Sequence, residues 1–98
     1  MLVFAPPFYR GKKEVFMSEN RVAIVSIIVT DLSAAEKLNS VLHEFGDYII
    51  GRMGIPYKEK HISVLSVVLD APQEIVNALT GKLGMLENVS AKTLISKF

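Results

Sequence analysis

An α+β fold of order βαββαβ is what this sequence predicts, on three observations. Two runs, residues 21–30 and 61–69, are β-branched on both alternations. Two other stretches carry apolar side chains at helical spacing, and a final run alternates apolar with polar residues. Residues 21–30 (RVAIVSIIVT) are too short and too rich in Val and Ile for a membrane helix, so they predict a central strand covered on both faces. Asp31 and Leu32 end it. Ser33 followed by Glu36 has the spacing of a capping box. Ala34, Leu38, Val41, Leu42 and Phe45 then share one helical stripe, with Glu36, Lys37, Asn39, Ser40, His43 and Glu44 on the other. Gly46 and Asp47 stop this helix.

Residues 48–53 predict a shorter strand, after which Gly54, Ile55 and Pro56 open a polar connection running through Lys60. Residues 61–69 (HISVLSVVL) predict the third strand. Asp70 is expected to cap a second helix with Pro72 in its first turn and a stripe of Ile75, Val76, Leu79, Leu83 and Leu86, its last turn loosened by Gly81 and Gly84. Residues 89–95 complete the set, with Ser90, Lys92 and Ser96 at alternate positions as at a sheet edge. Two split βαβ units with right-handed crossovers give a four-stranded antiparallel sheet of spatial order 4-1-3-2 with both helices on one face, the ferredoxin-like sandwich.

One prediction of that architecture conflicts with the sequence. A sheet covered by helices on one face should turn polar on the other, yet Val22, Ile24 and Ile28, and Ile62, Val64 and Val68, are apolar as well. Leaving such side chains wet forgoes about 1.5–3 kcal/mol apiece, so the face is expected to meet another copy in a dimer or tetramer, through this face or the sheet edges. The competing cover is the N-terminal segment, by way of Phe4, Phe8 and Tyr9.

Composition narrows the functional classes. The 98 residues are half apolar and about a fifth charged, as in one packed domain. Eleven basic against ten acidic residues leave a net charge of +1, too little for a phosphate-binding surface, and direct nucleic-acid binding is not expected. The absence of cysteine removes disulfides, thiolate metal sites and thiol catalysis, and accords with a cytoplasmic location. No membrane association is expected. Residues 1–20, with Pro6 and Pro7 and with Arg10, Lys12 and Lys13 behind the apolar stretch, are expected to be an arm outside a domain of residues 21–98. A second reading makes residues 1–16 an untranslated leader, because Lys13, Glu14 and Val15 can be written AAG GAG GTN, a ribosome-binding sequence ahead of Met17.

In this topology the loop after the first strand, the hairpin between the second and third, and the approach to the last strand meet at one end. That end gathers the candidate ligand residues Arg52, Gly54, Lys58, Lys60, His61, Gly81, Lys82 and Gly84. The bland alternative is that the glycines shape turns and Lys82 is a helix C-terminal charge. Neither His43 nor His61 has metal-ligand spacing, and Asp31 and Asp70 read as turn and cap residues, so no metal, cofactor or catalytic group is expected.

The strand RVAIVSIIVTD, the segment from Gly51 to Tyr57 (GRMGIPY), the strand ISVLSVVLDAP and the run ALTGKLG before VSAKT together resemble the iron-only hydrogenase system regulators. The resemblance implies a stand-alone transcriptional-regulator family with an ACT-like, ferredoxin-type fold similar to the C-terminal domain of the nickel-responsive regulator. Two departures matter. The first strand-to-helix turn, Thr30 to Ser33, lacks the glycine with which ACT domains admit an amino acid, and the nickel regulator's His and Cys pattern has no counterpart. The expectation is a non-enzymatic, homo-oligomeric regulatory domain for a small effector or a partner protein. The alternatives are a small dimeric ferredoxin-like enzyme and a purely structural oligomerisation module.

Overall fold

The computed structural model describes residues 2–3 and 19–97. Its elements in chain order are β1 (Leu2–Val3), β2 (Asn20–Val29), α1 (Ala35–Glu44), β3 (Ile49–Tyr57), β4 (Ile62–Pro72), α2 (Gln73–Gly84) and β5 (Val89–Ile95). Short 3-10 turns at Leu32–Ala34, Gly46–Tyr48 and Lys58–Lys60 punctuate them. The sheet runs β1-β3-β4-β2-β5 with every pair antiparallel. Without β1 this is the expected 4-1-3-2 order, and the fold is ferredoxin-like.

The register shows why the two runs apolar on both alternations are central. Along β2 and β4, Ala23 faces Leu69, Val25 faces Val67 and Ile27 faces Leu65. All six are buried in one core with Leu38 and Leu42 of α1 and Val76, Leu79 and Leu83 of α2, the stripes that helical spacing predicts. The hydroxyls of Thr80 and Thr93, 2.6 Å apart, join α2 to β5. Every buried side chain of this core is apolar, so packing in it is set by volume and shape.

The alternate residues stand on the opposite face, where no helix covers them. One cross-strand row runs Ser90, Ile28, Val64, Ile55; the next runs Lys92, Ser26, Ser66, Met53; a third brings Leu94, Ile24 and Val68 together. Val22, Ile24, Ile28, Met53, Ile55, Tyr57, Val64 and Leu94 retain 37–69% of their surface in the single chain. This is the doubly apolar sheet foreseen from the strands, with a small-residue pair, Ser26 and Ser66, at its middle.

Four local expectations are corrected. The second strand does not stop at Met53 but continues through Tyr57, because Ile55 pairs with Val64 and Tyr57 with Ile62; Pro56 is tolerated since β3 lies outside the central pair and needs no donor there. The capping group of the first helical segment is Asp31, whose Oδ1 accepts from the Ser33 N–H at 2.9 Å, in place of a Ser33–Glu36 box. A 3-10 turn at Leu32–Ala34 intervenes before α1, whose Ala34 cap makes no side-chain bond. Asp70 does not cap α2. The strand runs on through buried Ala71 and Pro72, opposite Arg21 and Asn20, and Pro72 is the residue ahead of the helix.

The segment expected to lie outside the domain contributes two residues to the sheet edge: Leu2 stands opposite Met53 and Val3 opposite Arg52. A bare β3 edge offers unpaired backbone donors and acceptors, which any extended segment can meet. The expectation that Phe4, Phe8 and Tyr9 cover the open face, and the arm and leader readings of the remaining residues through Ser18, lie outside the described residues.

Candidate functional site

The end of the sheet where β2 and β3 finish and β4 begins is built by backbone geometry. Asn88, at φ 65°, adopts the left-handed conformation that its short amide tolerates. Its carbonyl accepts from the Thr30 N–H at 2.9 Å and the Thr30 hydroxyl at 3.3 Å. The exit of β2 is thereby tied to the entry of β5. His61 is also left-handed, at φ 57°, closing the Lys58–Lys60 turn with its N–H on the Lys58 carbonyl at 3.1 Å.

Beside this end, α1 and the β3–β4 ribbon diverge and leave a cleft of about 290 Å³. Its walls are Val29, Leu32, Ala35, Leu38, Ile55, Pro56 and Leu65, with Asn39, Arg52, Gly54 and Ser63 as its polar and backbone contributors. Arg52 pairs opposite Val67, which sets it on the helix-covered face. Because β3 is not backed by α2, the side chain is half-buried and crosses to α1, where Nη2 donates to Asn39 Oδ1 at 3.4 Å. Among the described residues Arg52 is the single charged member of the lining, and no carboxylate is bridged to it.

The expected ligand residues separate into three groups. Arg52 and Gly54 line the cleft. Lys58, Lys60 and His61 form the exposed turn at the hairpin tip, outside the lining. Gly81, Lys82 and Gly84 lie on α2: a Cβ at either glycine would meet nothing within 4 Å, so neither is there for close approach. Lys82 turns to α1 instead, 3.0 Å from Glu44 Oε1 and 5.7 Å from the centre of the Phe45 ring, a contact between helices and not part of the cleft.

Sequence reading missed Leu38, Asn39 and Ser63 as cleft residues. A trace existed, since Ala35, Leu38 and Asn39 follow the i, i+3, i+4 spacing of one helix side, but that spacing does not say which strand faces it. Asp31 lies at the same end. Hydrogen bonds from Ser33 stabilise its ionised form and hold its carboxyl below the ordinary value of 3.8.

Among the described residues no group of three or more His, Cys, Asp or Glu side chains is placed to hold a metal. No helix of the described residues is long and apolar enough to cross a membrane.

Known proteins bear on this architecture directly. No curated protein sequence matches the chain. Among solved structures, an uncharacterized protein, TM1266 from Thermotoga maritima, superposes with a TM-score of 0.78 at 35% sequence identity, covering 81% of this chain and 100% of that one. A family profile described as "TM1266-like: Iron-only hydrogenase system regulator, putative" matches residues 21–93, which run from the second residue of β2 into β5 and contain the cleft. The resemblance read from the strands, the GRMGIPY segment and the ALTGKLG run thus holds at the level of the family, and the chain belongs to the TM1266-like iron-only hydrogenase system regulators.

Proposed function

We propose that this chain is a non-enzymatic, homo-oligomeric regulatory module whose α1–β3–β4 cleft binds a small effector. The family description supports a regulatory role. The observation that carries the rest is the position of Ile55. It borders the cleft and, paired with Val64, also belongs to the uncovered apolar face. A ligand that moves β3 by a few tenths of an ångström therefore alters both surfaces, and its differential affinity for free and assembled chains shifts the association equilibrium.

Assembly through the open face has a favourable balance. The eight exposed side chains of that face still have roughly two-fifths of their surface to bury, worth roughly 5–10 kcal/mol per chain. Two chains face to face thus set roughly twice that against an association penalty of about 4–15 kcal/mol. A catalytic role is disfavoured because the space between sheet and helices is filled with apolar residues and holds no buried acid or base among the described residues. Transcriptional action fits this scheme through a separate DNA-binding protein. A net charge of +1 does not by composition supply a DNA-binding surface.

Light scattering of the full chain across concentration, paired with melting curves in a panel of small metabolites, tests the proposal. A mass of two or four chains, and a melting temperature raised saturably by at least one small molecule, are expected. A monomer at all concentrations removes the assembly, and a flat panel removes the effector.

A further inference from the structure

The cleft has a chemical signature that narrows its occupant. Among the described residues most of its wall is aliphatic, its one charge is the Arg52 guanidinium, and no acid lines it. Asn39 accepts one guanidinium N–H at 3.4 Å, and the other donors of the fork have no side-chain partner among the described residues. A planar fork presenting parallel N–H groups matches a carboxylate in bidentate fashion, and such charge-assisted pairs are stronger where water is scarce. Beyond the guanidinium, Leu38 and Leu65, both buried, form the inner wall, where an apolar chain is preferred. Ser63, opposite Val29 on β2, adds a neutral hydroxyl that can serve either as donor or acceptor.

What the lining lacks is equally selective. An ammonium group would sit beside a guanidinium with no carboxylate among the described lining residues to offset it, so free amino acids are disfavoured by like-charge repulsion and unpaired desolvation. Polyphosphates would meet a single cation. A neutral apolar molecule would strip water from Arg52 without giving it a partner.

We infer that the cleft takes a small carboxylic acid with an apolar body and no amino group. This rests on the cleft being the effector site and adds the class of effector. It also agrees with the absence of glycine from the Thr30–Ser33 turn, which had weakened the case for amino acids.

The test uses the nitrogen-labelled full chain and four probes: 4-methylpentanoate, leucine (the same skeleton with an ammonium group), 4-methylpentanamide (the same skeleton without charge) and inorganic phosphate. 4-Methylpentanoate is expected to shift the backbone amide resonances of Leu38, Gly54 and Ser63 saturably. Leucine, the amide and phosphate are each expected to bind at least tenfold more weakly. Arg52→Gln, at a half-buried position outside the apolar core, is expected to keep a cooperative unfolding transition and to weaken 4-methylpentanoate about tenfold or more, equivalent to about 1.4 kcal/mol. Arg52→Lys, which keeps the charge but not the fork, should recover only part of the loss. Equal binding of leucine, or carboxylate binding indifferent to Arg52→Gln, overturns the inference. If 4-methylpentanoate fails while another member of a broad metabolite panel moves those amides, the carboxylate class falls and the cleft stands as effector site. If no small molecule moves them, both fall.

Discussion

Replacing Val64 by Glu places one carboxylate in the middle of the open face, in the cross-strand row that also holds Ile28 and Ile55. In the isolated chain Val64 is 38% exposed, so the new side chain can lift its charge into water. The change in fold stability should then stay near that of surface substitutions, within about 1 kcal/mol. Assembly is affected differently. Packed against another sheet, the carboxylate loses water beside the aliphatic Ile28 and Ile55, at an effective penalty of several kcal/mol per ion. Each participating chain brings its own copy of the charge. A net loss of about 4 kcal/mol corresponds to an association constant lowered about a thousandfold. Sedimentation velocity at micromolar concentration should therefore convert the parent's multi-chain boundary into one of single-chain mass. The thermal unfolding of that monomer should remain cooperative. Val64→Thr, which keeps the shape and adds only a hydroxyl, should retain most of the assembly. The reasoning is refuted if the Glu variant keeps the parent's mass, or if the parent is itself monomeric at those concentrations.

Three further outcomes are expected. Leu79→Ala, at a position with 0% exposure between α2 and the sheet, should lower unfolding free energy by about 2–5 kcal/mol in denaturant titration, and a loss below about 1 kcal/mol would show that the core collapses around the cavity. The Asp31 carboxyl should titrate below 3.8 by NMR, because Ser33 holds its charged form. Since the folded value is the lower one, its stabilising contribution is complete above the unfolded value and disappears as pH falls through the folded one; Asp31→Asn should abolish that part of the acid dependence, and a titration midpoint at or above 3.8 refutes the cap. His61→Gly should leave stability unchanged or slightly raised, because φ 57° favours glycine, whereas His61→Val should lower it by about 1–2 kcal/mol in thermal unfolding. Equal effects of the two would show that the imidazole, not the backbone, matters there.

How much of this was legible in the chain depends on the range of the interaction. The stripe Leu38, Leu42 and Phe45, and its counterpart Val76, Leu79 and Leu83, are local patterns, because helical spacing alone puts those residues on one side. The same holds for the strands at residues 21–30 and 61–69, whose apolar character on both alternations marks them as the central pair of the sheet, although one of their faces stays open in the single chain. Errors fell where a tertiary partner overrode a local signal. Gly54 and Pro56 read as a turn until Val64 and Ile62 of β4 supply a pairing edge that carries β3 to Tyr57. Asp70 reads as a helix cap until Asn20 and Arg21 hold the strand in register to Pro72.

The sequence by itself determined the order of the central elements, the core stripes and the excess of apolar surface on the sheet, since each of these follows from residue type at short spacing. Only the tertiary structure decided which candidate residues share a site. Arg52 and Asn39 lie thirteen positions apart and meet because a strand outside the central pair lets a long side chain reach across to α1, while Lys82, in the same expected cluster, is drawn away by Glu44 on the neighbouring helix. Such juxtapositions depend on the separation and crossing of packed elements, quantities that no spacing along the chain encodes.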